Sequence, residues 1–496
     1  MRRRRTVLRA AAALACVAAL TVLPGAEVGE RADAALPAVP GNPDTDEEGF
    51  PRVSIDSSVN QRTVDSAVGI GKDGNVYVWG RTGYGMNGVP TNSDPDGVSN
   101  RETEWPVRVP GLPEGAVVAV ASGIYNFNAL DAAGHVWGWG GYSPNRDGTE
   151  TVREGRSTLS APAARLRVGS AWNGSGPLLS GIRAITATEM AGAAIAADGT
   201  VYHWGLPNYG GPSGSGAQIL QGLPDPSEPG NFPVYLKGGY RTFWVILENG
   251  DVWYWGGSNN YERPRAADGG NGDYSSSAVS TARRSTVLNA WNRDNSPSAH
   301  IVQIDSGINL GGALLSNGQV ITWGTSSSRV GGRLPNSSST ATNRLARTPG
   351  VLPNMSDVVH LAYTFTGAAM VTSDGSLYGY GDDSYECFPR WPNTTIFCGS
   401  GIQYPDVPAL IDTHVTNFTV GQGYVRWTKW VADAEADNGY RLETWGQGWN
   451  RRGAVGHPGG ASLSTVVSKR LVEFRHNGNQ GGVCTEPRCD LAWLLR

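Results

Sequence analysis

The feature that most constrains this chain is a short phrase that returns seven times. "DGNVYVWG" ends at Gly80, "AGHVWGWG" at Gly140, "DGTVYHWG" at Gly205, "NGDVWYWG" at Gly256, "NGQVITWG" at Gly324, "DGSLYGYG" at Gly381 and "NGYRLETWG" at Gly446. Each copy opens on a turn pair: Asp73-Gly74, Ala133-Gly134, Asp198-Gly199, Asn249-Gly250, Asn317-Gly318, Asp374-Gly375 and Asn438-Gly439. Such pairs suit a two-residue hairpin turn, whose backbone needs positive φ. An aromatic stands five places after the turn glycine, at Trp79, Trp139, Trp204, Trp255, Trp323 and Tyr380. In the last copy Trp445 stands six places after Gly439, an extra residue that a β-bulge would absorb. Short apolar strands such as "GAAIAA" and "FWVILE" precede the turns, so the repeated unit is a β-hairpin.

A lone hairpin cannot bury both of its faces, so the copies have to pack on one another. They recur about every 50 to 70 residues, too irregularly for a solenoid. A closed ring of blades tolerates insertions of different length and leaves few open edges. The 68 Gly and 30 Pro fit a turn-rich chain, and the 17 Trp and 18 Tyr exclude a disordered one. No window after the first residues holds an apolar period of 3.6, so helix is not expected. The fold class that follows is all-β, a seven-bladed β-propeller over residues 51–475 with long inter-strand loops.

The residues also resemble a known family. "WGRTGYGMNG", then "WPVRVPGLPEGAVVAVASG", then an apolar strand and the hairpin, is similar to the repeat of the regulator of chromosome condensation family. The resemblance covers most of residues 51–475, and it is best kept after Trp79 and in "WGQGWNRRGAVG". The His-Thr that the family places before its apolar strand is absent. The resemblance implies seven blades and a ring closed by strands from both ends of the chain. "RVSIDS" (52–57) and "RLVEFR" (470–475) are the candidates for that closure. Exported bacterial members include an inhibitor of β-lactamases, which this chain resembles in class and export but in no contact residue.

The first 34 residues read as a signal peptide: a basic start, an apolar run from Ala10 to Leu23, and "ADA" at 32–34. Secretion to the outside of the cell is therefore expected, by the general or the twin-arginine route, with Cys16 discarded in the peptide. Residues 35–50 read as a linker and 476–496 as a tail. Removing the peptide moves the net charge from −4 to about −7, which argues against nucleic acid as a partner. No other stretch is apolar and long enough to span a membrane. The remaining cysteines, Cys387, Cys398, Cys484 and Cys489, lie in two close pairs and are expected in disulfides of unassigned connectivity.

A search for chemistry returns little. His135 and His203 lie in hairpin arms, and the seven histidines form no ligand spacing. There is no HExxH, nucleophile elbow or phosphate-binding loop. "NRDG" (145–148) and "DDSYE" (382–386) read as turns, and Glu248, Asp251 and Asp374 as hairpin residues. No catalytic residue, metal or cofactor is therefore expected.

The long loops, roughly 81–116, 141–180, 206–232, 257–300, 325–350, 382–410 and 447–468, are more suggestive. Tyr84, Trp105, Tyr142, Trp172 and Tyr209 stand in them among Gly, Ser and Asn, as do Tyr261, Trp291, Tyr385, Trp391 and Trp449. Rigid rings among small adaptable residues describe a protein-binding surface, although each ring can equally anchor its own loop. The expectation is a secreted, monomeric, non-catalytic protein that binds an extracellular protein through loops on one propeller face. A cell-wall glycan stacked on the same rings is the alternative, and an enzyme with an unrecognised site is the third.

Overall fold

A computed structural model describes most of the chain between Val59 and Asp490. Residues 1–58 lie outside the description, as do 82–101, 141–160, 326–345, 382–407, 450–465, 476–487, 491–496 and some shorter breaks. The described residues form seven antiparallel sheets arranged as the blades of a propeller.

Blade 1 comprises Ser66–Ile70, Val76–Arg81 and Glu102–Arg108. Blade 2 comprises Val117–Ser122, Asn126–Asp131, Val136–Gly140 and Ala161–Arg165. Blades 3 to 7 repeat that four-strand order, beginning at Ile182, Pro233, Ile301, Val358 and Val415. From blade 2 on, the first strand of each blade lies against the first strand of the next. The first strands are therefore the innermost, and the repeated hairpin forms the middle of each blade.

The hairpin turns differ from the expected two-residue type. Gly71 N donates to Asn75 O at 2.7 Å and Gly74 N to Gly71 O at 2.8 Å, and the same pair of bonds recurs in blades 2 to 6. This is a type I turn closed by one left-handed glycine, here Gly74 at φ 73°. The Asp or Asn before that glycine serves another purpose, because its side chain accepts the N–H two places on. Asp73 Oδ1 takes Asn75 N, Asn249 Oδ1 takes Asp251 N, and Asn317 Oδ1 takes Gln319 N. In blade 2, where Ala133 stands at that position, Asp131 takes over and accepts from Ala133 N and His135 N.

Four of the six turns also hold the next blade. Gly74 O accepts Val117 N, Gly134 O accepts Ile182 N, Gly318 O accepts Val358 N and Gly375 O accepts Val415 N. Near its start every first strand of blades 2 to 7 carries a bulge, which the sequence reading did not anticipate.

Six of the repeated aromatics, those of blades 1 to 6, are buried, and each is paired across the hairpin with a residue that fits beneath it. Trp139 stacks on Phe127 at 5.5 Å and Trp255 on Phe243 at 4.8 Å, whereas Trp204 and Trp323 face Gly192 and Gly311. A Cβ on Gly192 would come within 2.3 Å of the Trp204 ring. Apolar side chains from adjacent blades interlock: Trp244, Val252 and Tyr254 of blade 4 pack with Ile304, Ala313 and Trp323 of blade 5. Burying a side chain of this size contributes about 1.5 to 3 kcal/mol, so the blade-to-blade seams hold the ring together.

Blade 7 departs from the sequence reading. Tyr424–Ala432 and Tyr440–Trp449 pair without a register shift, so no bulge absorbs the extra residue. Gly448, at φ 111°, pairs with the first residue of the second strand, the position Gly80 holds in blade 1. Gln447 therefore stands where the other blades have their aromatic, and Trp445 lies two places earlier. The paired strands are longer here, and the turn Asn438-Gly439 lies outside the described residues.

Blades 1 and 7 adjoin. Tyr424 Oη donates to Ser66 O at 3.0 Å, and the Arg426 guanidinium lies 4.6 Å from the Trp79 ring. Of the two strands expected to close the ring, 52–57 lies outside the described residues. The stretch 470–475 divides between Val466–Leu471, the outer strand of blade 7, and Glu473–Arg475, which pairs with Arg488–Asp490. Glu473–Arg475 also lies against Glu102–Arg108 of blade 1, so the C-terminal segment crosses the joint. At the other end of the chain, Val59–Asn60 pairs in parallel with the first strand of blade 2.

One element is helical against expectation: Thr286–Asn295, between blades 4 and 5. Its start is fixed from afar. Asp273 accepts from Thr286 N at 2.7 Å and from Thr286 Oγ1, and also bonds Ser285 Oγ. Ser285 Oγ in turn accepts Leu288 N. A cap supplied by a distant loop leaves no local signature for a periodicity search. Among the described residues, no helix is long and apolar enough to cross a membrane.

Candidate functional site

The two ends of the blades are unequal. The hairpin turns occupy one end. At the other, the third strand of each blade is joined to the fourth through residues 82–101, 141–160, 206–217, 257–278, 325–349, 382–408 and 450–465. The loops read from sequence were longer, because the fourth strands Glu102–Arg108, Ala161–Arg165, Gln218–Ile219, Val279–Arg284, Gly350–Val351, Ala409–Asp412 and Val466–Leu471 were counted within them. These strands are short or rich in Arg, Ser and Thr, and lack the alternation that marks a strand.

At the centre of this loop-bearing end, the turns between first and second strands meet. Glu189 N donates to Tyr240 O at 2.9 Å, Tyr240 N to Ser306 O at 3.1 Å and Ile308 N to Phe365 O at 2.7 Å. Tyr240 of blade 4 and Phe365 of blade 6 touch edge to face at 4.9 Å, so rings from non-adjacent blades meet there. Arg241 Nε donates to Glu189 Oε2 at 3.1 Å and Arg241 Nη2 to Tyr240 Oη at 3.2 Å. The guanidinium lies 4.8 Å from the rings of both Tyr209 and Tyr240. Burial holds the Glu189 carboxyl above its ordinary range despite Arg241. Burial and the Glu189 charge push the Tyr240 hydroxyl up.

Farther out, the insertion 257–278 folds into the wedge between blades 4 and 5. Glu262 Oε2 accepts Arg241 N and Thr242 N, and Glu262 O accepts Trp323 Nε1 at 2.8 Å. Arg263 is fully buried over the Tyr254 ring at 4.9 Å, and burial pushes its pKa down. Tyr261 and Tyr274 stack at 5.2 Å, flanked by Arg265 and Arg347.

No family model matches the chain. Among curated proteins it is 26% identical over 367 residues to the RCC1 domain-containing protein RUG3, mitochondrial, of Arabidopsis thaliana, covering 70% of this chain and 68% of that one. Among solved structures it is similar to yeast RCC1 (Prp20) in complex with Kap60, with a TM-score of 0.56 and 17% identity over 95% of this chain and 91% of that one. Human WBSCR16 gives a TM-score of 0.54 and 16% identity over 80% of this chain and 94% of that one. The chain is a seven-bladed propeller whose repeats are similar to those of RCC1 proteins.

On this RCC1-type propeller the candidate residues fall in three groups. Tyr209 and Tyr261 lie at the loop-bearing end, half-buried, each beneath a guanidinium. Trp291 lies on the helix near the hairpin end of blade 4, packed against the seam of Trp244 and Leu288, and so anchors the helix away from the other two. Trp105 and Trp449 belong to strands rather than loops, Glu102–Arg108 and Tyr440–Trp449. Tyr84, Tyr142, Trp172, Tyr385 and Trp391 lie outside the described residues, as do Cys387, Cys398 and Cys484. Cys489 stands in the strand Arg488–Asp490, paired with Phe474.

The residues that gather at this end were mostly not singled out: Glu189, Tyr240, Arg241, Arg265, Tyr274, Arg347 and Phe365. "YERPR" (261–265), alternating charge behind an aromatic, was the available signal. The histidines and carboxylates in the hairpins have structural partners. His203 Nδ1 bonds Gly210 O, Asp251 pairs with Arg284, and Asp374 closes its turn. Among the described residues no cluster of His, Cys, Asp and Glu could hold a metal ion. The gathered groups offer recognition surfaces.

Proposed function

We propose that the protein is an exported, non-catalytic propeller that holds another protein against the loop-bearing end of its ring. The observation that carries this reading is the inequality of the two ends. Four turn glycines at the hairpin end accept bonds from the next blade, whereas the longest connections between strands, such as 82–101, 257–278 and 382–408, open at the other end. Loops on a rigid scaffold are where recognition is usually placed. The yeast RCC1 structures concern protein partners, one with Kap60 bound and one describing binding to Gsp1p and histones. The export part of the proposal rests on the first 34 residues alone.

Affinity capture from the producing organism's medium and envelope, with the chain lacking residues 1–34 as bait, tests it. One protein is expected in near-equimolar amount, retained when Asn249 and Asn317 of the hairpin end are changed to Ala. It is expected to be lost when residues 141–160 are replaced by a Gly-Ser linker. Retention on cell-wall glycan with no protein recovered would replace this reading with the sugar-binding one.

A further inference from the structure

The stacked pair Tyr261 and Tyr274 is a place where two cations meet without a counter-charge among the described residues. The rings are 5.2 Å apart and 21° from parallel. The Arg347 guanidinium lies 4.2 Å from the Tyr261 ring, and that of Arg265 lies 4.3 Å from Tyr274 and 5.7 Å from Tyr261. The two arginines come from different blades and are tied through the backbone, Arg265 N donating to Arg347 O at 2.9 Å.

Several other arginines of the described residues have carboxylates: Arg241 has Glu189, Arg284 has Asp251 and Arg441 has Glu443. No described carboxylate forms an ion pair with Arg265 or Arg347. The Nε atoms of both are shielded from solvent and have no hydrogen-bond acceptor. An Nε shielded from water and given no acceptor is costly, and two guanidiniums close together repel each other. The tyrosine faces recover part of that cost through the flat face of each guanidinium, which leaves the N–H fork at its edge unspent.

We propose that this box of Tyr261, Tyr274, Arg265 and Arg347 binds the carboxylates of an acidic peptide segment, presented by the protein partner at the loop-bearing end. The inference rests on the protein-binding reading and names the partner's chemistry. A planar carboxylate matches the fork of a guanidinium, and two forks accept two neighbouring acidic side chains.

Fluorescence anisotropy of a labelled hexaglutamate peptide at low salt, with hexaglutamine as control, reads the site directly. Saturable binding of hexaglutamate alone is expected, about tenfold weaker in Arg265→Gln and in Arg347→Gln. It is expected to be unchanged in Arg293→Gln, an exposed helix residue paired with Asp294. Thermal melting reports whether each variant folds. Competition on the unaltered protein needs no variant: glutarate is expected to displace the peptide at lower concentration than inorganic phosphate or heparin. Absence of hexaglutamate binding, binding by both arginine variants as tight as by the unaltered protein, or preference for phosphate or heparin would each overturn the proposal. A captured protein partner whose retention ignores Arg347→Gln would overturn it too, while leaving the protein-binding reading intact.

Discussion

At the hairpin end, six turns repeat the same two backbone bonds, whereas at the opposite end the insertions of blades 3 and 4 share only their start after a third-strand glycine. Insertion 206–217 makes one turn of 3-10 helix and places Gly210 O against Trp255 Nε1. Insertion 257–278 sends Glu262 under the turn of its own blade, wedges Arg263 against Tyr254, and caps a helix with Asp273. The difference teaches where sequence freedom lies in such a ring. A turn that must also hold the next blade has one solution, and a loop that must only return has many.

The comparison predicts its own hardest test. Gly74 sits at φ 73°, and a Cβ there would fall 2.3 Å from Gly115 O. Gly74→Val is expected to cost about 3 kcal/mol or more, from left-handed strain and a backbone clash between blades 1 and 2. Chemical denaturation would measure it, and a cost below 1 kcal/mol would deny that the turn is a joint.

The inner strands common to both ends give the next effect. Burial and the nearby Lys237 ammonium push the pKa of His360 down to about 3, and burial also lowers that of His203. The unfolded chain takes these protons near pH 6.5, so stability is full above that value and falls as pH drops towards 3. From pH 7 to pH 4.5, His360 alone is expected to cost about 2 to 3 kcal/mol. Urea midpoints across that range should flatten in His360→Gln.

At the loop-bearing side, Asp273→Ala removes the acceptor for the helix start and is expected to cost about 2 kcal/mol. Helix loss at Thr286–Asn295, followed by hydrogen exchange, should accompany it while the turn amides of blade 2 stay protected. The smallest effect sharpens the comparison most. Asn249→Ala removes one exposed turn bond and Asn317→Ala removes two, the second from Asn317 Nδ2 to Gln319 Oε1, and each is expected to cost about 0.5 kcal/mol, slightly more in Asn317→Ala.

These contrasts also explain what could be read from the residues. The hairpins, the aromatic period and the count of seven were legible because their causes are local: a turn glycine, an alternating strand, a ring beneath which Phe, Ala or Gly must lie. The fourth strands were not, since "QI" at 218–219 and "GV" at 350–351 pair only because a third strand is already there. Trp445 was misplaced because Gly446 and Gly448 look alike in sequence, and only the pairing of Tyr424 with Gly448 separates them. The candidate surface was legible as a set of rings in loops, but its arginines were not, because Arg265 and Arg347 meet across two blades. Trp291 shows the converse, a loop aromatic spent on anchoring a helix.

The bond from Tyr424 Oη to Ser66 O joins residues 358 positions apart. A chain made from its N-terminus can stack each blade on the one before as it emerges, but Trp79 waits for Arg426 until nearly everything else exists. Until then two raw seams stand open at once, so the slow, aggregation-exposed stage of this protein's life is its last fold-back, and helpers that shield incomplete chains would act there.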